Sequence, residues 1–369
     1  MLSLSGSAAD TAAIARAAAL IQAGGLVAFP TETVYGLGAN ALSAAAVQQI
    51  YVAKGRSPDD PCIVHIAALE ELGGVAALPS TLPARWVEKL ASACWPGPLS
   101  LILPRAPAIP DQVTAGRPTV AVRMPAHPVA LALIRAAGLP IAAPSANLFM
   151  HTSPTTARHV LDDLNGRIGL ILDSGPTPLG VESTVLDLTG VAPRVLRPGG
   201  VSLERLRAIL GVPVLVGIHD EQSAGSGAEQ GLPAPGLLTR HYAPHAEFLL
   251  LDGSPLQVRL ALAQRARALL AAGTYAGALL PDEDAQSLAV ACPGIVLARL
   301  GPERDLPAIA SRLYTGMREL EAAGVETILA RNIGGEGLAR AIGDRLLRAA
   351  GGRLICIDDT CSAPDWPIE

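Results

Sequence analysis

Leu26-Val27-Ala28-Phe29-Pro30-Thr31-Glu32-Thr33-Val34-Tyr35-Gly36-Leu37-Gly38-Ala39-Asn40 decides how this chain is read. Its first four residues are a short apolar run between Gly24-Gly25 and Pro30, the pattern of a buried strand. Hydroxyls and a carboxylate follow, small polar groups that orient a ligand rather than fill a core. Glycines close the stretch, which is read as a polar glycine loop where the backbone must turn sharply or come close to a ligand. Downstream lie Lys54-Gly55-Arg56 and, much later, Pro144-Ser145-Ala146-Asn147. The three pieces are read as lining one pocket, and the pocket as an active site.

Outward from that stretch, strands and helices alternate. Residues 8–24 form an alanine-rich helix with a glycine stop, and 44–53 a second helix running into Lys54. Strands are expected at 62–66, 99–103, 119–125, 139–143, 168–173, 183–189 and 194–197, with helices near 81–93, 128–137 and 202–210. Ser153-Pro154 reads as a helix start, Ser153 capping it. The later strands come in succession, which favours a mixed sheet over a purely parallel one. Between 217 and 246 glycine, serine and proline interrupt the pattern and mark a linker. It ends on Thr239-Arg240-His241-Tyr242-Ala243-Pro244, too loaded chemically for a passive spacer. From 247 to 369 a second β/α alternation reads as a smaller Rossmann-like domain, without the GxGxxG fingerprint of a dinucleotide site and with a frayed tail from Asp358. The expected organisation is a catalytic α/β domain over 1–216, a linker over 217–246 and the Rossmann-like domain over 247–369.

Composition narrows the classes. At 369 residues two domains are the default, and with only 3% aromatic residues the cores must be built from Ala, Val, Leu and Ile. No apolar run is long enough for a membrane span and no secretory signal is evident, so the chain reads as cytoplasmic. The five cysteines are odd in number and far apart, with no CxxC pair, which argues against a disulfide framework or a zinc site. A net charge of −5 gives no global pull toward nucleic acid.

Several residues could carry chemistry. In an extended segment Lys54 and Arg56 would point to one side and suit a polyphosphate, the arginine gripping oxygens bidentately. The plain alternative is a solvated pair at a helix C-terminus. Ser145 and Asn147 could bond a phosphate and a carboxylate, or could simply make a turn. His65 could be a core histidine, and Arg123 and Arg197, at strand ends among apolar residues, want an anion, either ligand or structural carboxylate. Ser183 and Thr184 are ordinary strand hydroxyls unless a ligand lies over them. There is no GxSxG nucleophile motif and no Walker A loop, so any ATP is held by another device.

Pro30-Thr31-Glu32-Thr33-Val34-Tyr35-Gly36-Leu37, Lys54-Gly55-Arg56, Ala143-Pro144-Ser145-Ala146-Asn147, Ser153-Pro154-Thr155, Gly180-Val181-Glu182-Ser183-Thr184-Val185 and Leu196-Arg197-Pro198-Gly199 occur in an order that resembles the L-threonylcarbamoyladenylate synthases. Arg240-His241-Tyr242-Ala243-Pro244 and Gly335-Glu336-Gly337-Leu338 resemble the long, two-domain form, so the likeness covers about the whole chain. The resemblance implies a twisted YrdC-like α/β domain with a large concave cavity, a nucleotidyltransferase. It would make threonylcarbamoyl-AMP and pyrophosphate from L-threonine, bicarbonate and ATP, with Mg2+ bridging the phosphates. A separate tRNA-modifying transferase system would then use the product on the adenosine next to the anticodon. On the same basis Thr33, His65, Arg123, Ala143 and Ser183 would contact threonine. Arg56, Asp60, Thr119, Ser145, Ser153, Arg197 and Tyr242 would hold ATP, the Tyr242 region of the linker closing over it. Lys54, Arg56, Ser145 and Asn147 would position the phosphates. Two places depart from the family's pattern: Phe149-Met150 replace Ser-Gly, and Asp60 replaces an asparagine.

Two other readings compete. A structured-RNA-binding module would grip RNA, including tRNA, in a basic cavity, but the acidic charge and scarce aromatics count against it. A carbamoyl-transfer domain of the hydrogenase-maturation type would bring cysteine-rich zinc motifs, which are missing.

Overall fold

The computed structural model describes residues 1–3, 8–77, 84–217 and 231–361. The chain forms two compact units. One comprises Met1–Phe149 and Ser153–Leu237, the other Met150–Thr152 and Leu238–Glu369. Residues 231–237 of the expected linker therefore pack with the first unit, and the short stretch 150–152 packs with the second.

The first unit is built on a mixed eleven-stranded sheet. Its order is Leu2–Ser3, Leu170–Asp173, Val27–Phe29, Gly36–Asn40, Ile141–Ala142, Ile63–His65, Thr119–Arg123, Leu99–Pro104, Thr184–Asp187, Arg194–Arg197 and Leu215–Val216. Gly36–Asn40, expected to be loop, is a strand antiparallel to Val27–Phe29. Its glycines serve packing: a Cβ on Gly38 would lie 2.8 Å from both Ile141 and the Phe29 ring. The helix Ala44–Lys54 is capped by Ser43, whose hydroxyl accepts from Ala46 N, and ends at Gly55 with φ 63°. Ser153 is not a cap. That helix begins at Ala157 with Thr156 as its cap, which leaves the Ser153 hydroxyl for another partner.

Alternation along the central strands divides their side chains between two faces. Val64, Val120, Val122, Leu101 and Leu186 enter the main core with Ile50, Leu90 and Leu206. Ile63, Ala121, Ile102 and Val185 face the other way and form a small separate cluster with Leu196, Ala234 and Leu237.

The second unit has a five-stranded sheet, parallel throughout, in the order Val296–Arg299, Ala276–Leu280, Thr327–Arg331, Glu247–Asp252, Leu354–Cys356. Helices Pro255–Ala271, Asp282–Ala291, Leu306–Ala322 and Leu338–Ala349 connect the strands. Two expectations are corrected here. Cys356 and Cys361 are joined by a disulfide, which their spacing alone gave no reason to expect. Of the tail expected to fray, Asp358 is held in place, its carboxylate accepting from the backbone N–H and hydroxyl of Ser254, while residues 362–369 lie outside the described residues. No described helix is long and apolar enough to cross a membrane.

Candidate active site

Backbone hydrogen bonds draw the opening motif to the later ones. Leu37 N donates to Pro144 O, Ala146 N to Tyr35 O, Tyr35 N to Pro154 O and Gly180 N to Thr33 O. Gly36 and Ser145 form an isolated antiparallel bridge. The loop between two strands is thus the hub on which the segments near 145, 154 and 180 converge.

Lys54 comes to this hub from the last position of its helix, not from an extended segment, and it is 2% exposed. Its ammonium donates to Ser145 O at 2.6 Å and Asn147 O at 2.5 Å. A solvated surface pair is ruled out, since Arg56 is also only 7% exposed. Burial, with Arg56 adding repulsion, lowers the Lys54 amine to about 7. The left-handed Gly55 redirects the chain so that Arg56 bonds Asp60 O at 3.0 Å and Pro61 O at 2.8 Å and forms an ion pair with the Asp60 carboxylate at 2.9 Å. Burial pushes the Asp60 carboxyl above its ordinary value against the attraction of Arg56, Lys54 and Arg197. Asn147 Nδ2 donates to Leu148 O.

A second group lies on the sheet face that carries the small apolar cluster. His65 and Arg123 are register partners on adjacent parallel strands, two residues beyond the partners Ile63 and Ala121. Arg123 donates to Thr33 Oγ1 at 3.0 Å and Gly97 O at 3.2 Å, and pairs with Glu32 at 2.6 Å. Burial raises the Glu32 carboxyl, but Arg123 outweighs it and holds the group below its ordinary value. Burial and the Arg123 charge lower His65 to about 3, so its ring stays neutral, with Nδ1 3.1 Å from Ile63 O. Ala143 lies beside this pair, its N–H bonded to Ile63 O.

Ser183 Oγ is 2.8 Å from Ser100 Oγ and accepts from Arg197, whose guanidinium also reaches Ser183 O and Pro235 O. Gly199 allows this close approach, because a Cβ there would lie 2.4 Å from the backbone at 182–184. Ser153 Oγ donates to the Glu182 carboxylate at 2.5 Å. Thr119 sits at the other end of the Arg123 strand, about 13 Å away at ~3.3 Å per residue. The face between them is therefore long enough for two small ligands end to end. Ala234 and Leu237 cover its middle, and Leu232 N bonds Asp59 O.

Glu32 and Glu182 are partners of the expected site residues that the sequence reading passed over. Both stand inside quoted motifs, and a carboxylate among buried hydroxyls was the available signal. Tyr242 belongs to the second unit, where its backbone is left-handed (φ 56°) and its ring packs near Tyr314, with the Arg345 guanidinium 4.9 Å from its centre. Met150, also in the second unit, has φ 65°. It keeps the left-handed conformation that glycine would take without strain, so the methionine holds this turn at a backbone cost of about 1–2 kcal/mol.

A family model described as "Telomere recombination" (Sua5, YciO, YrdC) matches residues 19–199, and one described as "Threonylcarbamoyl-AMP synthase, C-terminal domain" matches 201–351. The chain is 44% identical to the threonylcarbamoyl-AMP synthase of Bacillus subtilis over 347 residues, 93% of this chain and 94% of that one. Its identity to the Pyrococcus abyssi threonylcarbamoyl-AMP synthase is 42%, over 92% and 94% of the two chains. The crystal structure of P. abyssi Sua5 complexed with L-threonine superposes with a TM-score of 0.85 at 41% identity, covering 94% of this chain and 97% of that one. Both units are matched, and the chain belongs to the threonylcarbamoyl-AMP synthase family.

Proposed function

We propose that this chain condenses L-threonine, bicarbonate and ATP into threonylcarbamoyl-AMP and pyrophosphate. The observation that carries the reading is the pairing of two unlike sites on one unit. A neutral imidazole, hydroxyls and Arg123 make an amino-acid pocket, and Lys54, Arg56 and Arg197 gather buried positive charge for phosphates. In the reaction the threonine amine adds to bicarbonate with loss of water, giving a carbamate. A carbamate oxygen then attacks the α-phosphorus, and the bond to the pyrophosphate oxygen breaks. Such a displacement needs alignment and charge neutralisation rather than a protein nucleophile. Arg123 would hold the threonine carboxylate, with Thr33, His65, Ala143 and Ser183 around the rest of the amino acid. Lys54, Arg56, Ser145 and Asn147 would align the phosphates, while Thr119, Ser153 and Arg197 would complete the nucleotide site.

Magnesium enters as MgATP. Among the described residues no group of three metal-ligating side chains occurs with Lys54 and Arg56, so phosphate oxygens and water would carry the ion. Residues 231–237 would lift to admit the nucleotide and close again over it. The adenylate would pass to a separate tRNA-modifying transferase in the cytoplasm, with at most weak contact between this chain and tRNA.

The test is an omission series with purified protein, MgATP, labelled bicarbonate and L-threonine, following pyrophosphate and label in an AMP adduct together. Both products should require all three substrates. Pyrophosphate release independent of threonine, or ATP binding with no adduct, would defeat the reading. Asp60 gives a second test. Its carboxylate neutralises Arg56 and opposes phosphate, so Asp60→Asn should lower the KM for ATP about fivefold, on the scale of ~1 kcal/mol of screened charge repulsion. An unchanged KM would show that Asp60 does not oppose the phosphates, and a higher one that it serves the nucleotide site as it stands.

A further inference from the structure

The second unit carries a cluster of metal-ligating side chains that the synthase reading does not use. His151 Nε2 lies 3.0 Å from Glu321 Oε2, and the His151 and His245 rings stack with centres 5.0 Å apart. One ligand atom from each of His151, His245 and Glu321 can be chosen so that all three lie within 4.8 Å of one another. The residues are far apart in sequence, 170 positions from His151 to Glu321 and 76 from His245 to Glu321, so no spacing motif could have announced them.

The arrangement is held from several directions. Glu321 Oε1 accepts from His245 N at 2.7 Å, which fixes the second carboxylate oxygen toward His151. Three residues earlier on the same helix, Leu306–Ala322, Arg318 donates to Thr152 O at 2.6 Å. Ala243 N donates to Met150 O at 3.0 Å. The segment 150–152 and the stretch 243–245 are thus tied together and to that helix before any ion arrives.

We propose that His151, His245 and Glu321 bind one first-row divalent transition ion, zinc being the best match. Two imidazoles and one carboxylate are ligands zinc accepts in a tetrahedral site that keeps one position for water. They are a poor set for magnesium or calcium, which take oxygen ligands. Bond lengths of about 2.0–2.2 Å place tetrahedral ligand atoms about 3.3–3.6 Å apart. His151 and Glu321 are already near that spacing. His245 is exposed, so rotation of its side chain can close the remaining gap. A bound ion would lock the segment 150–152, which lies in sequence between Asn147 and Ser153, to the helix Leu306–Ala322.

The test uses full-length protein, free of any polyhistidine tag, stripped with EDTA and without nucleotide. Its outcome is therefore independent of the synthase reading. Titration with zinc chloride should show one ion per chain, magnesium chloride at the same concentrations should show none, and cobalt(II) should give the visible absorption of a low-coordinate nitrogen–oxygen site. His245→Ala, an exposed position whose loss leaves the fold intact, should weaken zinc binding at least about tenfold, and Glu321→Gln should do the same. Absence of saturable zinc binding at micromolar concentrations would overturn the proposal. So would zinc binding that neither substitution alters, because the ion would then lie elsewhere.

Discussion

Lys54→Met is expected to lower threonine-dependent pyrophosphate release by about 10²–10³-fold, the scale for loss of one preorganised charge-stabilising group. The fold should survive. Methionine keeps the unbranched length of the stem in a site where the lysine is 2% exposed, and it removes the cost of burying an ammonium. The carbonyls of Ser145 and Asn147 lose their donor, a penalty of about 1–3 kcal/mol each if nothing replaces it. Circular dichroism and a melting curve therefore accompany the assay. The lysine also predicts a proton signature. An amine lowered to about 7 is roughly half protonated near neutrality, and phosphate charge placed beside it raises its pKa. Between those two values the complex holds more protons than the free protein, so MgATP binding at pH 8 should take up a fraction of a proton. The uptake should fade below pH 6, where the amine is charged in both states. Calorimetry in buffers of different ionisation enthalpy measures it, and Lys54→Met should abolish it. Proton uptake that persists in the variant would move the effect to another group and remove Lys54 from the phosphates.

The sequence made the site legible but not its wiring. Lys54, Arg56, Ser145 and Asn147 are polar residues set in apolar surroundings, and their order is enough to bring them together on paper. What the linear reading could not supply was why they meet. Lys54 is helical, and the turn to Arg56 depends on a left-handed Gly55, so the extended geometry inferred from two-residue spacing was wrong even though both side chains end up buried. Gly36–Asn40 read as loop because glycine weakens strand propensity. Close packing against Phe29 and Ile141 overrides propensity there. The strand alternation that sets His65 and Arg123 on one face and Val64, Val120 and Val122 on the other can be read from residues 63–65 and 119–123. The cover that Ala234 and Leu237 lay on that face was not, because a glycine- and proline-rich stretch carries no periodicity to read. The same limit hid the Cys356–Cys361 disulfide, a local bridge with no framework to announce it.

Arg123→Lys is expected to raise the KM for L-threonine at least about 100-fold while the KM for ATP changes less than about threefold. A guanidinium has five N–H donors: two bond Gly97 O and Thr33 Oγ1, and on Nη2 one faces the Glu32 carboxylate as an ion pair without a hydrogen bond. The two that remain can meet a substrate carboxylate as a fork, a geometry an ammonium cannot copy. Loss of a bidentate charged contact that is buried and otherwise fully committed is worth about 3 kcal/mol or somewhat more, which is the predicted factor. Lysine rather than alanine is the informative change, because Arg123→Ala would strand Glu32 in the interior without a partner, at a cost on the order of 3 kcal/mol in stability. That cost has a definite pH dependence. Glu32 is held below its ordinary value of 4.5 in the fold, so the pair's stabilisation is fully present above that pH and is lost as pH falls through the folded value. Wild type should therefore lose part of its melting temperature as pH falls below 4.5, and Arg123→Ala should lose less over the same fall because the pair is already broken. If instead Arg123→Lys leaves the threonine KM unchanged and raises that for ATP, the guanidinium faces the nucleotide. The amino-acid pocket would then have to be sought at Ser183 and Arg197, the other cation on the same face.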